Sequence, residues 1–207
     1  MINDAKGLSE ALEKEGILRR GHFVLSGGEH SDQYIDHDTI YANPFLVSVC
    51  GQILADIFKT TTVETIIGPA MGGNTLAHET ARWLSHSRSS NIHVAYSEKS
   101  GSAFTIVETH KQFVVGRPIL FVDDALTTGR TLRNLIETVK KIGGRPAYVG
   151  VIWNRGNLVY LDGMDIRSII AQRLQSWPAA NCPSCLRGDP INTECGHGKE
   201  FLESLKK

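Results

Sequence analysis

The stretch PILFVDDALTTGRTL, residues 118–132, decides the fold. It opens with an apolar run, Pro118 to Val122, that has no polar alternation. Two adjacent carboxylates follow, Asp123 and Asp124, then a turn of small hydroxyl and glycine residues, then a helical pattern from about Leu132 to Ile142. A strand without a polar face has to be covered on both sides, which is the situation in parallel sheets flanked by helices. Gly143-Gly144 closes the helical pattern, and Ala147 to Trp153 reads as the next strand.

The same rhythm runs upstream. Val63 to Ile67 is a short β-branched run, followed by GPAMGG (68–73) and a helical stretch from Thr75 to Leu84. Ile92 to Tyr96 is a further short strand, and 97–112 lacks clean periodicity, as a long loop or hairpin would. Asn43-Pro44 starts a helix that continues to about Lys59, because proline suits the first helical turn. Residues 3–16 carry Leu8, Ala11 and Leu12 on one face, with Gly16 as a stop. Residues 176–198, rich in Pro, Gly, Asn and Cys, read as an irregular appendage. The expected architecture is α/β: a parallel sheet flanked by helices, with an N-terminal hood segment and an irregular Cys-containing C-terminal tail.

Composition narrows the function classes. The chain has 207 residues, 41% hydrophobic and 21% charged, which suits a globular protein with a substantial core. Lys plus Arg equals Asp plus Glu at 22 each, so no global field draws the chain to nucleic acid or to an anionic membrane. No run approaches the roughly 20 apolar residues of a membrane-spanning helix. The charged N-terminus lacks the apolar core of a signal peptide, so the expected compartment is the cytoplasm.

In open α/β sheets ligands sit at the carboxyl ends of the strands. After the strand at 118–122, the turn Thr127–Thr131 presents successive backbone N–H groups at a helix start, which is an anion site. Gly129 lets the backbone come close, and Thr127, Thr128 and Thr131 add hydroxyls. Asp123 and Asp124 would repel a bare phosphate. They suit a ligand with a phosphate at one end and vicinal hydroxyls at the other, such as a ribose 5-phosphate. One Asp would suffice as a helix cap, so capping alone does not explain the pair. The GxxxxGK[ST] pattern of nucleotide hydrolases is absent, and Arg130 is no equivalent of its lysine. IIGPAMGGNTLA (66–77) is a second strand-to-helix turn made of small residues.

FVDDALTTGRTL (121–132) resembles the phosphoribosyl pyrophosphate (PRPP) signature of the type I phosphoribosyltransferases. The resemblance implies that fold. It also implies that Asp123 and Asp124 hold the ribose hydroxyls and that Thr127, Thr128, Gly129, Arg130 and Thr131 bind the 5-phosphate. The turn with Ala70, Gly72 and Gly73 matches the family's pyrophosphate loop. GHFVLSGGEHSDQYID (21–36) resembles the opening of orotate phosphoribosyltransferases, with Ser26, Gly27, Ser31 and Tyr34 on the base side. Arg155 matches an arginine set against the orotate carboxylate. In YSEKSGSAFTIVETHK (96–111) Glu98 and Lys99 match the family's basic segment, whereas its next basic position falls near Ser102 or Ala103. Lys99, with His110 or Lys111, is the candidate for neutralising pyrophosphate. Asn154 stands where the family has Asp, and Val24 and Leu25 replace a lysine near the Ser-Gly turn.

The resemblance therefore implies transfer of ribose 5-phosphate from PRPP to a nitrogen base, orotate first and another pyrimidine or purine second. Mg²⁺ would be held mainly through PRPP, and the chain would be a homodimer. Residues 1–178 form the expected phosphoribosyltransferase domain (hood 1–40, core 60–155), with 179–207 as tail. The rival reading is a non-catalytic PRPP-binding regulatory protein; the neutral charge and lack of an appended helix-turn-helix speak against a DNA-binding one.

CPSCLRGDPINTECGHG (182–198) offers Cys182, Cys185, Cys195 and His197, the ligand types of a tetrahedral zinc site. The one-residue gap between Cys195 and His197 is tighter than usual. Free thiols are the leading reading of this tail, ahead of a structural Zn²⁺ and of a disulfide. His22, His30, His37, His78, His86 and His93 are scattered without metal spacing, and Cys50 lies on an apolar helix face.

Overall fold

The structure, a computed structural model, describes residues 2, 4–25, 27–101, 103–171 and 175–204, and their side chains except those of 37 and 38. The chain forms two compact units, one of Met1–Leu8 with Ile40–Gln172 and one of Ser9–Thr39 with Arg173–Lys207. Among the described residues, no helix is long and apolar enough to cross a membrane.

The larger unit holds the sheet. Its strands are β3 (Thr65–Ile67), β4 (His93–Val94), β7 (Pro118–Leu126), β8 (Arg145–Asn154), β9 (Tyr160–Leu161) and β10 (Met164–Ile170), in the order β4-β3-β7-β8-β10-β9. All neighbours are parallel except the short edge strand β9, which runs antiparallel to β10. Ile119 to Val122 of β7 are wholly buried, as the unbroken apolar run required.

The helices of this unit are α3 (Pro44–Phe58), α4 (Gly72–Arg88) and α5 (Arg130–Lys141). Asn43 caps α3 by accepting the Leu46 N–H at 3.2 Å, with Pro44 in the first turn. α5 buries Leu132, Leu135, Ile136 and Val139, one helical stripe, against the sheet cluster containing Phe121, Val149 and Val151. Residues 97–112 form a hairpin, β5 (Ser97–Ser100) with β6 (Ala103–Ile106), and then a 3₁₀ turn over Glu108–Phe113. Gly101, at φ +61°, lies in its tip.

Two boundaries move from their expected places. β7 continues through the acidic pair to Leu126, because the Asp123 and Leu126 backbones remain in register with Val151 and Asn154 of β8. α4 begins at Gly72 rather than Thr75. Its two leading glycines reflect close packing, since a Cβ on Gly73 would lie 2.5 Å from Pro69 Cδ and one on Gly72 would enter the Tyr41 ring.

The smaller unit contains most of α1 (Ala5–Lys14), an antiparallel pair of β1 (Leu18–Val24) and β2 (His30–Ile35), and the C-terminal segment. α2 (His37–Tyr41) runs across the boundary between the units. The C-terminal segment contains α6 (Pro183–Arg187) and α7 (Gly198–Ser204). It is not a loose appendage. Trp177 exchanges both backbone bonds with His30 at 2.7 and 2.8 Å, and Asn192 and His197 donate to the carbonyls of His22 and Val24. Cys182 is wholly buried.

Candidate active site

The carboxyl ends of β3 and β7 and the β5–β6 hairpin carry most of the predicted residues, within the larger unit. Asp123 is buried and Asp124 half-buried, at the end of the apolar strand. The Asp124 N–H donates to Asp123 Oδ1 at 3.0 Å, and the Tyr41 hydroxyl donates to Asp124 Oδ2 at 3.1 Å. Burial, and next the Asp124 charge, push the Asp123 carboxyl well above the ordinary carboxylate range; the Asp124 N–H and the Lys99 charge offset this only in part. Burial and the same two carboxylates hold the Tyr41 hydroxyl far above its usual value, so it stays a donor. An acidic pair in this state is poised to receive hydroxyl donors or positive charge.

Beyond the pair, Thr127, Thr128, Arg130 and Thr131 are exposed while Gly129 is buried. Gly129 adopts φ +77°, and a Cβ there would lie 2.5 Å from Leu161 Cδ1, so the turn needs glycine on two counts. Gly129 is the N-cap of α5 and offers no side-chain acceptor to the helix's first N–H groups. The turn is braced from behind: Arg133 donates to the Thr128 carbonyl at 2.7 Å and pairs with Asp162 at 3.1 Å. A cavity of about 140 Å³ runs along this turn from Asp123 to Leu132.

The second turn is tied to the hairpin. Asn74 and Ser97 exchange two bonds, at 2.9 and 3.1 Å, and the Ser97 hydroxyl donates to the Gly68 carbonyl at 2.7 Å. The Ala70–Met71 peptide is cis. A cavity of about 540 Å³ is lined by Ala70, Met71, Asn74 and Lys99, among others. Lys99 also lines a cavity of about 290 Å³ with Arg130 and Thr131. Lys99 thus lines cavities beside both turns.

Against known proteins, the family model for the phosphoribosyl transferase domain matches residues 36–181. An orotate phosphoribosyltransferase of Thermotoga maritima is 33% identical over 92% of this chain and 98% of its own length. One of Caldanaerobacter subterraneus is 30% identical over 88% of this chain and 92% of its own length. The crystal structure of the Aeropyrum pernix orotate phosphoribosyltransferase shares the fold, at a TM-score of 0.60 and 24% identity, over 79% of this chain and 92% of that one. The chain belongs to the orotate phosphoribosyltransferase family.

For a member of this family, several expected residues are placed differently from one another. Asp123, Asp124, Lys99, the 127–131 turn and Ala70, Gly72 and Gly73 gather in the larger unit as described. Arg155 follows β8, half-buried, its N–H donating to the Leu126 carbonyl at 2.8 Å beside the 127–131 turn. Asn154 serves its own loop by bridging to both backbone groups of Leu158. Tyr34 lies in the smaller unit on β2, stacked on Phe23 at 5.4 Å. Ser26 lies outside the described residues. Ser31 is buried, with its hydroxyl donated to the Gln175 carbonyl at 2.8 Å. Lys111 is paired with Glu108 at 2.6 Å, and His110 accepts the Tyr96 N–H at 3.1 Å.

Three contributors escaped the sequence reading: Tyr41, Asn74 and Ser97. Each acts across 83 or 23 positions of sequence, and none belongs to a recognisable spacing. The ligand set that the tail offered for zinc, behind the leading reading of free thiols, is also not the one assembled. Cys182 and Cys185 are drawn together with His22 and His30, whereas Cys195 and His197 do not join them. Cys50 is buried in α3, and burial pushes its thiol up to about 12, in keeping with a small core residue.

Proposed function

We propose that the chain transfers the 5-phosphoribosyl group of PRPP to orotate, forming orotidine 5′-monophosphate and releasing pyrophosphate. The observation that carries this is the acidic pair of buried Asp123 and half-buried Asp124 leading into a glycine-bearing helix start whose N-cap offers no side-chain acceptor. One end attracts hydroxyls and positive charge, and the other attracts a phosphate.

On this reading Asp123 and Asp124 accept the ribose 2- and 3-hydroxyls. Thr127, Thr128, Gly129, Arg130 and Thr131 bind the 5-phosphate through backbone N–H groups, hydroxyls and the guanidinium. The turn with Ala70, Gly72 and Gly73 and the Lys99 ammonium take the pyrophosphate. Loss of pyrophosphate builds positive charge on the ribose ring and negative charge on the leaving group. The carboxylates favour the first and Lys99 the second, so catalysis rests on positioning and charge complementarity. Tyr41, holding Asp124 in place, is a positioning residue. Arg155, Tyr34 and Ser26 are assigned to the orotate side.

The residues fit a magnesium–PRPP complex. Burial and the neighbouring Asp124 charge raise the Asp123 carboxyl, so the pair favours added positive charge, while the rest of the site offers cations and N–H donors. Mg²⁺ would thus be held mainly by the ligand's own oxygens near Asp123 and Asp124, supplying charge neutralisation for the pyrophosphate. The assembly is proposed to be a homodimer, and the chain to act in the cytoplasm.

Pyrophosphate release from PRPP and Mg²⁺ tests the reading, with orotate, uracil, adenine, guanine and hypoxanthine offered separately. Release with orotate alone is the expected result. Release with another base would reassign the acceptor, and PRPP binding without release with any base would favour a PRPP-binding regulator.

A further inference from the structure

Away from this site, in the smaller unit, four side chains converge from opposite ends of the chain. His22 and His30 come from β1 and β2; Cys182 and Cys185 flank the first turn of α6. His22 Nε2, His30 Nδ1 and the two sulfurs all lie within 4.8 Å of one another. His22, His30 and Cys182 are buried and Cys185 is half-buried.

Protonation at His22 is fixed by its outer nitrogen. Nδ1 is 2.9 Å from the Asp189 carbonyl, which can only accept, so Nδ1 carries the proton and Nε2 presents its lone pair inward. Three groups crowd that one lone pair: His30 Nδ1 at 2.8 Å, Cys185 Sγ at 3.5 Å and Cys182 Sγ at 3.6 Å. Cys185 Sγ is also 3.3 Å from His30 Nδ1. A single lone pair cannot serve three donors. His30 Nε2 is buried without a hydrogen-bond partner whichever ring nitrogen carries the proton, so the crowding at His22 Nε2 is what decides.

A cation at the centre resolves the crowding. With Zn–N of about 2.0–2.1 Å and Zn–S of about 2.3 Å, a tetrahedral site has N···S edges of about 3.5 Å and an N···N edge of about 3.3 Å. Three of the four N···S separations, 3.3, 3.5 and 3.6 Å, already match. The imidazole pair, at 2.8 Å, has to open slightly, and the two remaining edges lie within 4.8 Å. The hydrogen bond from His22 Nδ1 to a backbone carbonyl is the outer partner that metal-bound histidines use to set tautomer and ring angle.

We propose that His22, His30, Cys182 and Cys185 form a closed structural site for a thiophilic divalent cation, Zn²⁺ by its N₂S₂ tetrahedral donor set. All four positions come from protein, so the site leaves no place for a substrate. It fastens the C-terminal segment to both strands of the hairpin, bridging side chains 160 positions apart. Gly196 approaches Tyr34 on the same hairpin, with a Cβ there 3.5 Å from the ring, so the clamp also orders the strand that carries Tyr34. The inference does not depend on the PRPP reading.

Elemental analysis of the full chain, purified without chelator under reducing conditions, should give about one zinc per chain. Cobalt should replace it and give the visible absorption of tetrahedral thiolate coordination. Cys185→Ser and His30→Ala should each lose the metal, while Cys195→Ser and His197→Ala keep it. Should the ligand variants fail to fold, titration of the wild-type thiols with an organomercurial in the presence of a zinc indicator gives the same answer, with zinc released as the Cys182–Cys185 thiols react. A reduced wild-type chain that takes up no zinc or cobalt overturns the proposal, as does a metal retained by Cys185→Ser and lost by Cys195→Ser.

Discussion

The acidic turn proposed to bind PRPP and the His/Cys cluster are built in opposite ways. The first is contiguous: a buried strand, two acids, a glycine turn and a helix start follow within fifteen residues, 118–132. The second takes two residues from a hairpin near the N-terminus and two from a short helix near the C-terminus. A contiguous site declares itself through residue order, because strand, turn and helix each have a sequence signature and the chemistry lies at their junctions. A dispersed site has only residue types to offer, and those types are also found in ordinary cores and loops.

The largest effect should come from the acidic pair. Asp124→Asn keeps the Tyr41 contact and the fold but removes a charge opposite the developing cation. Turnover should fall at least ~100-fold, roughly 2.7 kcal/mol, with an unchanged circular dichroism spectrum. Near-normal turnover would break the contiguous half of the comparison. Gly129→Val places a β-branched residue at φ +77° against Leu161, and should weaken PRPP binding by more than about 10-fold in calorimetry, about 1.4 kcal/mol. Tyr41→Phe removes the donor to Asp124 and should lower kcat/KM by about 10-fold, the size of a hydrogen bond to a charged group. An Asp124→Asn background should absorb most of that loss if Tyr41 acts through Asp124.

The smallest of these effects is on stability and has a pH signature. The folded Asp123 carboxyl titrates above its ordinary value of 3.8, so the native chain holds this proton more tightly than the unfolded chain. Its contribution is therefore favourable below that value and is lost as pH rises through the raised one. Asp123→Asn removes this penalty. The ligand-free variant should melt higher at pH 7, by about 2–4 °C for each kcal/mol relieved, and the gain should vanish as pH falls below the ordinary carboxylate value. An Asp123→Asn chain that melts lower at pH 7 would mean the carboxylate is stabilised by the fold rather than strained by it.

The sheet was largely legible in residue order. Ile119–Val122 could only be an interior strand, Asn43-Pro44 could only open a helix well, and Gly143-Gly144 marked the end of α5 within two residues. The failures share a cause. β1 and β2 carry Arg19, Arg20, Asp32 and Gln33 among their apolar residues, so the hairpin lacks clean alternation, and its pairing is interrupted between Arg20 and Phe23. The C-terminal segment has few regular elements of its own and is held by long-range backbone bonds to that hairpin, which no local pattern encodes. Tyr41 and Ser97 likewise acquire their roles from tertiary contact. His30 was unremarkable until Trp177 and Cys185 were placed beside it.

Amide hydrogen exchange of the chain, with and without PRPP and Mg²⁺, tests the central claim most directly. The expected result is strong protection of the backbone N–H groups of 127–131 and the first turn of α5, with weaker protection at 70–73, and no change around Cys182 and Cys185. Protection elsewhere, with 127–131 exchanging as fast as before, would contradict the assignment of that turn as the PRPP site.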